Sequence, residues 1–181
     1  MRAMTRSQPG PRERLLDAAK RLSYSQGVSI GVDALLREAN VARRSLYEHF
    51  GGKDGLITEM LRRSAAEDVA RYRAAMDRGG GDPRARVLAI FDWLGEVVRE
   101  PDFRGCRYQA ADLALAHPDH PGHAVTSEYR AELDRMLLHE LRELGHPDPD
   151  GAVAQLHLLI EGAMVTGATG PARDLAEKIL G

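Results

Sequence analysis

Apolar residues recur every three or four positions along almost the whole chain, and no stretch shows the apolar–polar alternation of a half-buried strand. The pattern predicts an all-α protein. Leu15, Leu16, Ala18, Ala19 and Leu22 mark a first helix from Arg12 to Ser25, and Gly27 lets the chain turn out of it. Val32, Leu35, Leu36 and Ala39 mark a short second helix, with Ser29 as its expected N-cap. Asn40, which tolerates left-handed backbone, falls at the turn that follows. A third helix, about Ala42 to His49, directs Val41, Leu46 and Phe50 inward. One long helix then runs from Lys53 to about Arg78, stopped by Gly79-Gly80-Gly81. Further helices are predicted over Pro83 to Arg99, Cys106 to His117, Gly122 to Leu144, Asp150 to Thr166 and Ala172 to Leu180.

The third helix differs in kind from the others. With its apolar side turned inward, Arg43, Arg44, Ser45, Tyr47 and His49 are left for another face, and Lys53 opens the next helix after Gly51-Gly52. Guanidinium, hydroxyl, phenol and imidazole donors on so short a helix suit phosphates and base edges. Two short helices with a tight turn, the second rich in such donors, read as a helix-turn-helix whose second helix contacts DNA. Arg44 is the candidate for a base edge, because arginine pairs bidentately with guanine. Backbone N–H groups at Gly51-Gly52 and Lys53 offer a further phosphate contact.

From Arg12 to Ile57 the sequence also resembles the DNA-binding domain of TetR-family transcriptional regulators. The matching blocks are Leu15-Leu16-Asp17-Ala18-Ala19, Gly27, Ala39-Asn40-Val41-Ala42, Leu46-Tyr47-Glu48-His49-Phe50 and Lys53-Asp54-Gly55-Leu56. The last two are similar to the family's L-Y-x-x-F and K-D/E-x-L signatures in order and spacing. The sequence departs from the family pattern at Ser23, where an aromatic is usual, and at Gly31, where a hydroxyl is common. It departs again at Ala42, where a Ser or Thr cap is usual, and at Arg44, where a small residue is common.

Charge supports a divided chain. The overall net charge is only −2, but residues 1 to 56 hold ten Lys/Arg against six Asp/Glu, and the remainder holds 15 against 21. A basic head on an acidic body suits a DNA-binding end attached to a body that does not bind DNA. The expected division is an arm over residues 1–11, a helix-turn-helix head over 12–58 and a helical body over 59–181. Arg2 and Arg6 on the arm could reach a minor groove. The single cysteine, Cys106, excludes an internal disulfide framework. No apolar run spans a bilayer and no signal-peptide pattern opens the chain, so a cytoplasmic protein with no membrane partner is expected.

The last two helices carry more apolar residues than one small body readily covers. Leu156, Leu159, Ile160, Ala163, Met164, Leu175 and Ile179 are the candidates for a homodimer interface, and a dimer would span two half-sites of a two-fold-symmetric operator. The resemblance implies the same, since TetR-like proteins pair through their last long helices. It also implies a small-molecule effector in the body, for which Phe91, Trp93, Tyr108, Tyr129 and Met136 are candidate lining residues.

Other chemistry is weakly signalled. His117, Asp119, His120 and His123 lie close enough to suggest a metal site, but their prolines and glycine fit an ordinary loop, and no metal or cofactor is expected. His139-Glu140 begins like a zinc-peptidase helix, but Glu143 stands where the second His is required. Arg104 and Arg107 beside Cys106 raise the question of a low-pKa redox sensor. The sequence reads as a DNA-binding regulator, with repressor expected over activator and no catalytic role. The alternative is a helical ligand-binding or scaffold protein whose head binds a protein partner.

Overall fold

A computed structural model describes residues 9–181. Its described residues form α1 (Pro11–Gln26), α2 (Val32–Ala39), α3 (Arg43–Phe50), α4 (Lys53–Asp77), α5 (Pro83–Val97), α6 (Arg107–Ala114), α7 (Gly122–Glu143), α8 (Pro149–Thr166) and α9 (Thr169–Leu180), with no strand among them. The all-α expectation holds, and the predicted helix ends fall within a few residues of those observed. The arm residues Arg2 and Arg6 lie outside the described residues.

The chain divides into two compact units. One runs to Ser64 and takes in Ala111–Val125; the other comprises Ala65–Ala110 and Thr126–Gly181. In the first, α1 packs on α2 and α3. Leu15, Leu35, Leu46 and Leu56 are completely buried, one from each of α1 to α4. Ion pairs from Arg12 to Glu59 (2.9 Å) and from Arg63 to Glu13 (2.5 Å) tie α1 to the start of α4. Such exposed pairs each contribute only about 0–1 kcal/mol, so the apolar core sets this arrangement.

Local signals explain most helix ends. Asn40 closes α2 with φ 50°, ψ 55°, the left-handed geometry its side chain tolerates. Asp82 accepts a hydrogen bond from the Arg84 N–H at 3.0 Å ahead of Pro83, and Asp148 does the same for Gly151 N–H at 3.1 Å ahead of Pro149. Ser29 is not the cap of α2. The helix starts two residues later than that role requires, with Gly31 at the N-cap and no side-chain hydrogen bond, because Ile30 is drawn into the core and fixes the entry of the chain.

In the second unit α9 packs on both α5 and α8. Phe91, Leu94, Leu133, Leu137, Leu141, Leu156 and Ile160 form its centre. Where the chain turns from α4 into α5, a Cβ added at Gly79 would lie 2.4 Å from the Arg86 backbone nitrogen, so only glycine permits that approach.

Candidate nucleic-acid interface

Helix α3 turns a single completely buried side chain, Leu46, into the first unit, with Phe50 half-buried at its end. That anchor leaves Arg43, Arg44, Tyr47 and His49 exposed and Ser45 half-buried. Tyr47 is 55% exposed, so its phenol is available to a partner and is not consumed by packing. Lys53 is half-buried at the first residue of α4, beyond Gly51 (φ 71°) and Gly52 (φ 139°), whose left-handed backbone makes the sharp α3–α4 turn.

The beginning of α3 breaks two rules of helix stability together. Ala42 at the N-cap supplies no side-chain acceptor, and no acidic residue stands in the first turn. Two arginines occupy the positive end of the helix dipole instead. Both faults are relieved by an anion placed there: a phosphate would accept the open N–H groups and pair with the guanidinium groups. A local departure from foldability of this kind is expected where function, not stability, selects the residues.

Neither arginine is idle without DNA. Arg43 pairs with Asp33 of α2 at 2.6 Å, and Arg44 with Glu48, one turn along α3, at 2.5 Å. Sequence reasoning passed over both carboxylates. The i,i+4 spacing of Arg44 and Glu48 is a legible signal; the Asp33–Arg43 pair joins two helices and is not. The Arg44 side chain is 87% exposed, so its pair is a weak tether that DNA can exchange for a base or phosphate. Replacing Glu48 with Gln is expected to raise affinity for random-sequence duplex by about threefold to tenfold, by removing a negative charge beside the DNA. Fluorescence anisotropy across a salt series checks this, and unchanged or weaker non-specific binding would contradict it.

Arg37 is a further exposed cation that sequence reasoning omitted. It lines a shallow groove with Asp33, Leu36, Asn40, Val41 and Ala42 at the α2–α3 turn. Its place becomes evident only once the turn is folded.

This geometry has known counterparts. The description "Bacterial regulatory proteins, tetR family" matches residues 15–60. A tetR-type transcriptional regulator from Streptomyces avermitilis has a solved structure that is 35% identical, with TM-score 0.82 over 93% of this chain and 99% of that one. The chain belongs to the tetR family of bacterial transcriptional regulators. The HTH-type transcriptional repressor NemR of Escherichia coli K12 is 30% identical over 97 residues, 52% of this chain and 49% of NemR, so the chain spans about half the length of that curated relative. The regulator CifR, solved as a cysteine mutant with a 26-bp double-strand operator, shares the fold at 20% identity and TM-score 0.72, over 99% of this chain and 97% of that one. This TetR-family chain therefore shares its family and its helical fold with bacterial transcriptional regulators.

The body candidates sort differently. Trp93, Tyr108 and Tyr129 come together with Tyr72: Tyr108 stacks on Tyr129 with centroids 3.8 Å apart, and Tyr72 meets Trp93 edge-on at 4.8 Å. Phe91 is 1% exposed and belongs to the core. Met136 does not join the aromatic cluster; it lines a separate cleft of about 380 Å³ with Met76, Arg73, Arg86, Arg135 and Glu132. The reason is distance along the helix: Met136 shares the face of Tyr129 on α7 but lies seven residues, about two turns and roughly 10 Å, beyond it.

The interface candidates divide as well. Leu156, Ile160 and Ala163 are 0–2% exposed and belong to the core of the chain itself. Leu159, Met164 and Ile179 are half-buried, and Leu175 is 47% exposed. The most exposed apolar residues of α8 are Leu158 (73%) and Val165 (64%), which were not among the candidates.

The histidine-rich segment is tied up within the first unit. His123 bonds Asp112 at 2.6 Å through Nδ1, which raises its pKa, while His120 Nδ1 accepts the Gly122 N–H at 2.9 Å. His120 Nε2 lies 3.5 Å from Asp54. The rings face different partners, and no group of three metal-ligating side chains is assembled among the described residues.

Cys106 is buried, and burial followed by the Glu161 carboxylate pushes its thiol up to about 11. The neighbouring arginines therefore do not create a low-pKa thiol. At pH 7.5 its alkylation by iodoacetamide is expected to be about a hundredfold slower than that of an unperturbed thiol, because the thiolate is the nucleophile. Mass-spectrometric labelling kinetics check this; rapid labelling of the folded protein would contradict it.

Proposed function

We propose that the protein is a homodimeric repressor that holds a two-fold-symmetric operator through α3 and releases it when a small molecule occupies the body. The exposed arginine-bearing face of an uncapped α3, anchored by Leu46, carries the DNA-binding part of this reading. Arg44 reads a base edge, and Arg43, Ser45, Tyr47, His49 and Lys53 hold phosphates or neighbouring bases. NemR, a repressor, and CifR, solved on operator DNA, support the sign of regulation and the target.

The dimer reading is carried by Leu158, Val165 and Leu175, three large apolar residues that solvent would otherwise meet on the last two helices. Gly162, also exposed on α8, lets a partner helix approach closely. The effector reading rests on the Tyr72–Trp93–Tyr108–Tyr129 cluster between helices of the body. An effector that binds the two DNA-spacing states unequally shifts the population away from the operator-competent one. No helix among the described residues is long and apolar enough to cross a membrane.

Sedimentation and operator binding of Leu158→Glu test the reading together. The wild type is expected to sediment as a dimer with steeply salt-dependent affinity, while the variant sediments as a monomer and loses cooperative occupation of two half-sites. A dimeric Leu158→Glu protein would refute this interface. Binding that does not weaken with salt would instead favour a protein partner for the head.

A further inference from the structure

The body cluster holds an unusual combination of aromatic rings and unmatched negative charge. Four rings come from α4, α5, α6 and α7, and α8 brings Glu161 and, three residues on, Met164 against them. The Tyr72 hydroxyl meets only the weak acceptor Met164 Sδ at 3.8 Å besides its bond with Tyr129. Met164 and Trp93 are half-buried while Tyr72, Tyr108 and Tyr129 are buried, so the first two are the part of the cluster that solvent reaches. Methionine adapts readily to a new neighbour.

Charge separates the two sides of the cluster. Asp68 is matched: it accepts the Tyr108 hydroxyl at 2.7 Å and lies 3.5 Å from both Arg107 and Arg71. Glu161 is not. Its Oε1 has the neutral Cys106 thiol at 3.6 Å and His157 Nε2 at 3.8 Å, and its Oε2 is buried without a hydrogen-bond partner. His157 is itself shared with Asp134, whose Oδ1 lies 2.5 Å from its Nδ1. Even with the imidazole protonated, the Asp134–His157–Glu161 group retains one net negative charge.

We infer that the effector of this protein is an organic cation, an amine or quaternary ammonium with a compact apolar body, whose charge sits against Glu161 and the faces of Trp93 and Tyr72. This rests on the effector reading above and adds its chemical class. A buried carboxylate oxygen without a donor is costly, and an ammonium supplies both the donor and the missing charge. Aromatic faces attract the same charge through the ring quadrupole. A carboxylate ligand would instead add a second anion beside Glu161, and a neutral alcohol would satisfy Oε2 without balancing the charge.

Three probes of similar shape and different charge test it on the full chain: 2-phenylethylamine, 2-phenylethanol and phenylacetate. Calorimetry is expected to show the amine binding at least tenfold more tightly than the alcohol, with phenylacetate weakest. Glu161→Gln, which keeps the shape, is expected to reduce amine affinity at least tenfold while leaving the alcohol unaffected, and Trp93→Leu to reduce it severalfold. Equal affinity for amine and alcohol, tighter binding of phenylacetate, or undiminished amine binding by Glu161→Gln would overturn the inference. Operator release, measured separately, distinguishes the two readings. An amine that binds through Glu161 without weakening the DNA complex contradicts effector release and leaves the cation site standing. Release by a neutral or anionic compound alone overturns the cation assignment and supports effector release.

Discussion

Arg44→Ala is expected to abolish operator recognition while leaving the fold intact. Its side chain is 87% exposed and pairs only with Glu48, so truncation removes little that the free protein uses. In the bound state a bidentate arginine–guanine contact is worth about 1–3 kcal/mol. A two-fold dimer makes that contact twice, so the loss is roughly 2–6 kcal/mol, or about thirtyfold to twenty-thousandfold in affinity. The change should be selective. Affinity for random duplex falls much less, because the remaining cations still meet phosphates, and specificity relaxes mainly at one base position of each half-site. Anisotropy titrations against operator and random duplex at one salt concentration separate these effects. A uniform loss on both duplexes would make Arg44 a phosphate contact and move base reading to Arg43, Tyr47 or His49.

Leu46→Ala should reach a similar loss of DNA binding by a different route. Leu46 is the one side chain of α3 that is completely buried, and α3 is only eight residues long. So short a helix has little stability of its own and depends on packing its apolar side. Removing a buried leucine typically costs about 2–5 kcal/mol, a large part of the roughly 5–15 kcal/mol that holds a domain folded. Hydrogen exchange should show α3 amides exchanging near the unfolded rate, with protection retained in α5, α8 and α9. Full protection of α3 in the variant would show that other contacts hold the reading helix. The two substitutions thus separate contact from scaffold: Arg44→Ala changes binding without stability, and Leu46→Ala changes binding through stability.

The head was legible because its rules are local. Asn40 marks a left-handed turn, Leu46 and Phe50 set the phase of α3, and the arginines follow from that phase. The Ser29 cap failed because a tertiary demand, burial of Ile30, overrode a local preference. The body was less legible for a physical reason. Helix α8 is apolar almost all round, so its periodicity carries no phase and cannot say which apolar residues face the subunit's own core. Leu156, Ile160 and Ala163 proved to be core, and Leu158 and Val165, each two positions from one of them, proved exposed. The aromatic cluster joins residues from four helices, and its unmatched carboxylate at Glu161 depends on contacts that no spacing rule encodes.

The most direct test of the account is selection from fragmented genomic DNA with the purified protein at roughly physiological salt. Fragments sharing one two-fold-symmetric site, with half-sites spaced by about one helical turn or a multiple of it, are expected to be enriched. A dimeric, folded protein that enriches no fragment, with or without the amine probe, would contradict the account.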